Sequence, residues 1–208
     1  MDNHWENIYS SKPPGSLSWF QEDPACSLRL ILEHAGSGSC SIVDAGGGAS
    51  TLHESLVKHG FGNVTVVDIS PSALEISKAC LADAAGNIRW IAGDILKIEL
   101  DEHAFDIWHD RAVFHFLGSE EERLAYAEKV LHALRPGGIF IVAVFADDGP
   151  EKCSGLPVVR YTPQTLAETL GSRFSRIGHE DDFHRTPGGA LQHFIYCTFK
   201  AEEGSGRY

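Results

Sequence analysis

The sequence predicts an α/β domain: a mostly parallel sheet covered on both sides by helices. Three observations carry this. Short apolar runs alternate with segments of helical period. Several of the runs are apolar almost without interruption, as parallel strands buried on both faces require. Polar or glycine-bearing turns follow them, at the strand ends where such folds hold ligands. A length of 208 residues suits one domain with a full core. The expected division is a cap over residues 1–35, a core over 36–200 and a disordered tail over 201–208.

In chain order, Pro13, Pro14, Gly15, Trp19 and Phe20 precede a helix around Cys26 to His34. SCSIVDA is the first strand, and STLHESLVKHG a helix ending at Gly60. VTVVDIS is the second strand. SPSALEISKACLADAAG opens with a hydroxyl followed by Pro71 and Glu75, a helix-start signature, and stops near Gly86. NIRWIAGD is the third strand and AFDIWHD the fourth. Ser119 to Leu134 form an amphipathic helix that RPGG terminates, and GIFIVAVFA is the fifth strand. A helix near Pro163 to Leu170 leads to a strand from Phe174 to about His179 and to LQHFIYCTF. These last two strands pair as an antiparallel hairpin at the sheet edge.

Lys and Arg number 17 against 29 Asp and Glu, a formal charge of -12. Such a chain repels polyphosphate, and no basic cluster with interleaved aromatics offsets this, so nucleic acid is not an expected partner. No window has the apolar length of a membrane span. MDNHWENIYSSKPP lacks the basic region and apolar stretch of a secretory leader. Cys26, Cys40, Cys80, Cys153 and Cys197 are odd in number and scattered, with no metal-ligand spacing. Free thiols in a cytoplasmic protein are the expectation. Asp181, Asp182 and His184 lie close together, but consecutive acids read as a solvated face, and no metal is expected.

The stretch IVDAGGGAS carries the first functional signal. A strand, then Gly46, Gly47 and Gly48, then a helix brings backbone N–H groups to the helix's positive end and lets a ligand approach the main chain. A tight strand–helix turn is the plainer alternative. Three acids strengthen the ligand reading. Asp68 ends the second strand, where a carboxylate accepts ribose hydroxyls. Asp94 ends the third, near the base of such a nucleoside. Asp44 precedes the glycines, where a pyrophosphate gains nothing from an acid but an ammonium or sulfonium gains a partner. The glycine order also departs from GxGxxG. A nicotinamide oxidoreductase is therefore disfavoured.

DAGGGAS, VVDIS, AGD, FDIWHDRAVFHFL and LRPGG together resemble the class I, Rossmann-like S-adenosylmethionine-dependent methyltransferases, over roughly residues 40–145. The resemblance implies a seven-stranded sheet, six strands parallel and one antiparallel, with S-adenosylmethionine as cofactor. By the same resemblance Asp44 and the backbone at Gly46, Gly47 and Gly48 hold the methionyl part, and Asp68 takes the ribose. Ile69 lies against adenine, Asp94 and Ile95 border its amino edge, and His109 or Asp110 closes the methionyl side. HWENIYSSKP and SWFQEDPACSLRLI are similar to the opening of bacterial relatives of citrate-synthase lysine methyltransferases. That likeness implies that Trp5 and Tyr9 close over the cofactor, with Trp19 and Phe20 near the acceptor mouth.

Methyl transfer from a sulfonium is an in-line displacement. It needs alignment, exclusion of water and, for some nucleophiles, a proton acceptor. HDRAVFHF supplies His109, Asp110 and His115 as candidate catalytic groups, since a histidine titrates near neutrality; capping of the backbone is the alternative role for each histidine. Arg111 is expected to bind substrate, or else to pair with Asp44 or Asp110. FADDGPEKCSGLPVVRY reads as a lid loop that offers Cys153 and Arg160 to the acceptor. Arg160 would clamp an anion or tie the lid to nearby acids, and Cys153 has no adjacent histidine to activate it. EDDFHRTPGG adds His184. The expected acceptor is a small molecule enclosed by aromatics, with a protein lysine as the alternative and a cofactor-binding protein without turnover as a further class.

Overall fold

The computed structural model describes residues 2–202, so most of the tail expected to be disordered, residues 203–208, lies outside the described residues. Helix α1 (Asp2–Ser11) and helix α2 (Ala25–Ala35) come first. Then strand and helix alternate: β1 (Ile42–Ala45), α3 (Leu52–Lys58), β2 (Val64–Asp68), α4 (Pro71–Leu81), β3 (Ile88–Ala92), β4 (Phe105–Arg111), α5 (Glu120–Ala133) and β5 (Leu134–Phe145). A small hairpin, β6 (Lys152–Cys153) and β7 (Leu156–Pro157), precedes α6 (Pro163–Leu170), β8 (Phe174–Arg185) and β9 (Leu191–Ala201).

The main sheet has seven strands in the order β3-β2-β1-β4-β5-β9-β8. β3, β2, β1, β4 and β5 pair in parallel, while β9 is antiparallel to both β5 and β8. Two apolar clusters cover its faces. One gathers Val43, Trp108, Tyr126, Phe140 and Leu166 beneath α5 and α6. The other gathers Ile31, Ile42, Leu56, Leu74, Ile107 and Phe145 beneath α2, α3 and α4. Three layers follow from strands that alternate side chains between faces. Along β1, Ile42 and Asp44 face α2 and α3, while Val43 faces α5. Along β4, Ile107, His109 and Arg111 share the α2 face, and Trp108 and Asp110 point the other way.

Helix starts match local chemistry. Ser70 accepts from the Ala73 N–H at 3.2 Å ahead of Pro71 in α4, and Ser119 forms a reciprocal capping box with Glu122 in α5. Four elements differ from the sequence expectation. α1 forms where no helix was expected, with Trp5, Ile8 and Tyr9 at helical spacing. RPGG terminates α5 as expected, the helix stopping at Ala133 with Pro136 barring Arg135 from helical geometry, but it does not form a loop before β5. The four residues instead make an irregularity inside β5, where Phe105 pairs with Leu134 and Ile107 already with Ile139. The loop after β5 contains the β6–β7 hairpin. β8 runs on through Arg185, because β9 supplies ladder partners as far as Leu191 and overrides the poor strand propensity of Asp181 and Asp182. The five cysteines are free, and among the described residues no helix is long and apolar enough to cross a membrane.

Candidate active site

The strand order reverses between β1 and β4, which opens a crevice at their carboxyl ends. Two adjoining cavities occupy it. The larger, about 980 Å³ and partly open to solvent, is lined by Trp5, Tyr9, Trp19, Asp68, Ile69, Asp94, Ile95, Arg111 and Cys153, among others. The smaller, about 570 Å³, meets Trp19, Phe20, Ser27, Asp44, Gly47, His109 and Arg111. Gly46 borders both.

Asp44 is 2% exposed at the end of β1. Its face of the sheet brings it between two histidines: Oδ2 lies 2.8 Å from His53 Nε2, and Oδ1 lies 2.7 Å from His109 Nδ1. His109 Nε2 is 2.9 Å from the Ser27 hydroxyl, which is 3.1 Å from the Tyr196 hydroxyl. A buried polar chain thus runs from α3 through β1 and β4 to α2 and β9. Burial pushes the Asp44 carboxyl upward, but His109 and then His53 outweigh it and hold the group below the ordinary carboxylate range. Asp44 is an anion with a histidine already on each oxygen.

Asp68 is in the opposite condition. It ends β2, fully enclosed, and accepts from the Ser70 N–H at 2.8 Å. Burial, with Asp44 and Glu6 nearby, raises its carboxyl to about 7 despite the Ser70 and Gly48 N–H bonds. The glycine loop is shaped around these acids. At Gly46 (φ +68°) a Cβ would stand 2.1 Å from a Val113 methyl. At Gly48 (φ +34°) it would stand 2.7 Å from Asp68 Oδ2 and 3.1 Å from the Tyr9 hydroxyl. The N–H groups of Gly46 and Gly47 are not free for a ligand, as the sequence reading had them: both donate to the Val67 carbonyl, at 2.7 and 3.2 Å. The loop offers close approach and positioned acids rather than a nest of donors. Asp94 accepts from the Leu96 N–H at 3.0 Å and pairs with Lys97 at 2.9 Å. Burial opposes these contacts, yet they leave its carboxyl below the ordinary range.

The cap lies over this crevice and is bonded to it. Glu6 of α1 accepts from the Ser70 hydroxyl at 2.6 Å and from the hydroxyl and N–H of Ser72, so it sits on the N-terminal end of α4. Trp19 Nε1 donates to the Tyr9 hydroxyl at 3.1 Å. Trp5 packs edge-on between Trp19 and Phe116, with ring centroids 5.5 and 5.2 Å away.

Several expected site residues stand elsewhere. Asp110 faces α5, not the crevice: it is wholly buried and accepts from Tyr126 Oη at 2.5 Å and from the Val113 and Phe114 N–H groups. Burial lifts its carboxyl to about 6, and its bonds hold the 3-10 turn at Phe114–Phe116. His115 lines neither cavity. Both its ring nitrogens are buried without partners, packed against Phe116 and Phe145, and burial followed by the charge of Arg111 brings its pKa down to about 3. Arg160 donates to the Gly149 carbonyl and pairs with Glu151, tying the loop after β5. His184 of β8 engages the Ser18 carbonyl at 2.8 Å and anchors the cap. Cys153 does line the larger cavity, with burial raising its thiol to about 11. Arg111 pairs with neither Asp44 nor Asp110; Nη1 donates to the Trp19 carbonyl at 3.0 Å.

Four participants went unread in the sequence: Ser27, His53, Tyr196 and Glu6. A signal existed for two. Ser27 shares its helix face with Leu30 and Ile31, and His53 lies between Leu52 and Leu56 on the buried side of α3. A polar residue in an apolar helical stripe needs a partner: His53 meets Asp44 directly, and Ser27 meets His109 and Tyr196.

Residues 42–138 match a family model described as a methyltransferase domain. That match covers a little under half of the chain. Its sheet has the Rossmann-like order of the solved methyltransferase folds it resembles. With a TM-score of 0.77 and 20% identity it resembles a protein solved in work on the conversion of a disulfide bond into a thioacetal during echinomycin biosynthesis, over 99% of this chain and 94% of that one. With a TM-score of 0.71 and 23% identity it resembles the Burkholderia thailandensis 1,6-didemethyltoxoflavin-N1-methyltransferase, over 86% of this chain and 78% of that one. These likenesses speak to the fold. In sequence it is 26% identical over 154 residues to human EEF1A lysine methyltransferase 2, covering 67% of this chain and 65% of the relative. The zebrafish (Danio rerio) counterpart is 28% identical over 153 residues, covering 67% and 66%. The methyltransferase match thus spans a little under two thirds of the length of these curated relatives.

The described side chains fit the nucleoside of S-adenosylmethionine. A Cβ at Gly48 would block the approach to Asp68, and the Asp68 carboxyl lacks donors enough to lower it. Apolar Ile69 and Ile95 stand beside it in the same cavity.

Proposed function

We propose that this protein transfers a methyl group from S-adenosylmethionine to a compact small-molecule acceptor. The observation that carries the reading is one cavity that joins the ribose-type acid Asp68 to an aromatic enclosure under α1. Bound there, the cofactor supplies an electrophilic methyl on a sulfonium. Asp68 accepts the ribose hydroxyls; Ile69 and Ile95 flank the base, with Asp94 at its edge. Gly46, Gly47 and Gly48 admit the ligand to the main chain, and Asp44 supplies the negative field for the methionyl ammonium. Trp5 and Tyr9 close over the donor and keep water out, while Trp19, Phe20 and Cys153 border the acceptor side.

His109 acts as a positioning residue. Both its nitrogens are engaged, so it orients Asp44 and does not stand free to take a proton from the acceptor. Asp110 and His115 support the turn beneath the cavity. This arrangement suits a nucleophile that reaches the site ready to attack, for which alignment in a dry cavity supplies the rate.

A protein lysine acceptor is the second reading, favoured by the likeness to EEF1A lysine methyltransferase 2. Calorimetry with S-adenosylhomocysteine tests the donor: binding is expected, Asp68→Ala weakens it at least tenfold, and NAD gives no comparable heat. Label from methyl-tritiated S-adenosylmethionine in a cell lysate tests the acceptor. Counts in low-mass material support the small-molecule reading, and counts on protein lysines replace it with the second.

A further inference from the structure

Arg111 ends β4 and lines both cavities. Its nitrogens are used unequally. Nη1 is held by the Trp19 carbonyl, whereas Nε and Nη2 are buried with no partner. Buried donors on a charged group are costly to leave unmet. The two unmet donors are also adjacent. Nε–H and Nη2–H lie along one edge of the guanidinium plane, and that edge is the fork that receives both oxygens of a carboxylate. The plane is set in advance: it lies over the Phe194 ring, 4.5 Å from its centroid, and Trp19 fixes the far side.

The chain itself does not answer this edge. Asp44 is spent on His53 and His109, and Asp110 on Tyr126 and the backbone turn. Burial and the Arg111 charge also keep His115 and His184 toward the neutral form. Around it the larger cavity presents Trp19, Phe116, Val113 and Cys153. Asp68, Asp94 and Glu122 also line this cavity; the forked cation with its apolar neighbours matches a ligand with an apolar body and one planar anion.

We infer that Arg111 is the anion anchor of the acceptor cavity and binds, through Nε and Nη2, the carboxylate of a compact aromatic or otherwise apolar acid. This rests on the methyltransferase reading and narrows the class of acceptor. The donor's own methionyl carboxylate is the other source of the same chemistry, because Arg111 also faces the smaller cavity, and the test separates the two.

S-adenosylhomocysteine is titrated first into the wild-type protein. Failure to bind ends the methyltransferase reading itself, and the anchor with it. Benzoate and benzamide are then titrated into the S-adenosylhomocysteine complex. Benzoate is expected to bind roughly tenfold more tightly than benzamide, a preference that must arise locally because the chain's formal charge of -12 works against it. Arg111→Met abolishes the preference. Arg111→Lys, which keeps the charge but not the fork, retains only a minor part. Melting curves verify that both variants fold, and S-adenosylhomocysteine affinity stays within about threefold. Two results overturn the inference while leaving the donor assignment intact. One is equal or absent binding of benzoate and benzamide to the wild-type complex. The other is a tenfold loss of S-adenosylhomocysteine in Arg111→Met with 5′-methylthioadenosine binding unchanged, which places the donor's carboxylate on Arg111.

Discussion

Asp68→Asn separates function from stability at a single atom. The Asp68 carboxyl is raised from 3.8 to about 7, first by burial and then by Asp44 and Glu6, against the opposing N–H bonds. A folded-state pKa above the unfolded one means that the native protein holds the proton more tightly. The contribution of Asp68 to stability is therefore greatest below pH 4 and falls as pH rises toward 7, after which the loss is complete. A difference of this size corresponds to about 4 kcal/mol at pH 8. Asparagine has the same shape, keeps an oxygen for the Ser70 N–H and cannot ionise. The variant should match the wild type near pH 4 and exceed it by about 4 kcal/mol at pH 8, roughly 10 °C in melting temperature for a chain of this length. The same change removes charge-assisted bonds to ribose hydroxyls, about 1.5–3 kcal/mol, so S-adenosylhomocysteine binds roughly 10- to 100-fold more weakly. Melting curves of the ligand-free proteins from pH 4 to pH 8, with calorimetry at pH 8, read both effects. A stability difference that does not grow with pH refutes the buried-acid account.

His115→Phe should stabilise the protein by about 1–3 kcal/mol, since a ring with two buried unmet nitrogens becomes apolar among Phe116 and Phe145. Methyl transfer should continue at the wild-type rate, and a tenfold fall would return His115 to the catalytic list. Gly47→Ala sets a Cβ 2.5 Å from Asp44 Oδ2 and 2.8 Å from His53 Nε2; about 1–3 kcal/mol of stability and most donor binding should go together in denaturant melts and calorimetry. Glu6→Gln removes the anion that holds α1 on Ser70 and Ser72. Faster proteolysis before Pro13 and a several-fold rise in KM for the donor, at little cost in kcat, are the expected readouts.

How far the sequence exposes this site depends on which physical signal each residue leaves. The strands β1 to β5 and the acids at their ends were legible because burial on both faces enforces apolar runs, and an acid that ends such a run stands out. Asp44 and Asp68 fall within the last two residues of β1 and β2, and Asp94 stands two residues beyond β3. Direction across the sheet was less legible. His109 and Asp110 are neighbours in HDRAVFHF, yet the two-residue strand period sends one toward Asp44 and the other toward Tyr126. Deciding between them requires the registers of β4 and α5. The lengths of β8 and α1 were missed for a related reason. Their polar residues are tolerated because each element has one solvated face, and it is the partner, β9 or α4, that sustains it.

The two strand-end acids nearest the glycine loop also explain each other. Asp44 has two histidines and is ionised; Asp68, with backbone donors alone, is driven toward the neutral form by burial first and then by the charge of Asp44. A ligand that gives two hydroxyl donors to Asp68 supplies what the chain withholds there. The same ligand's cationic end meets a charge at Asp44 that the histidines have fixed in direction. Ser27 and Tyr196 extend that fixation to α2 and β9, so the cap and three strands of the sheet share one buried polar chain. Ligand binding that reorients Asp44 must then act on His109 and Ser27, and through Ser27 on the helix that leads from the cap. Trp5, packed edge-on against Trp19 and Phe116, adds apolar contact over the same crevice.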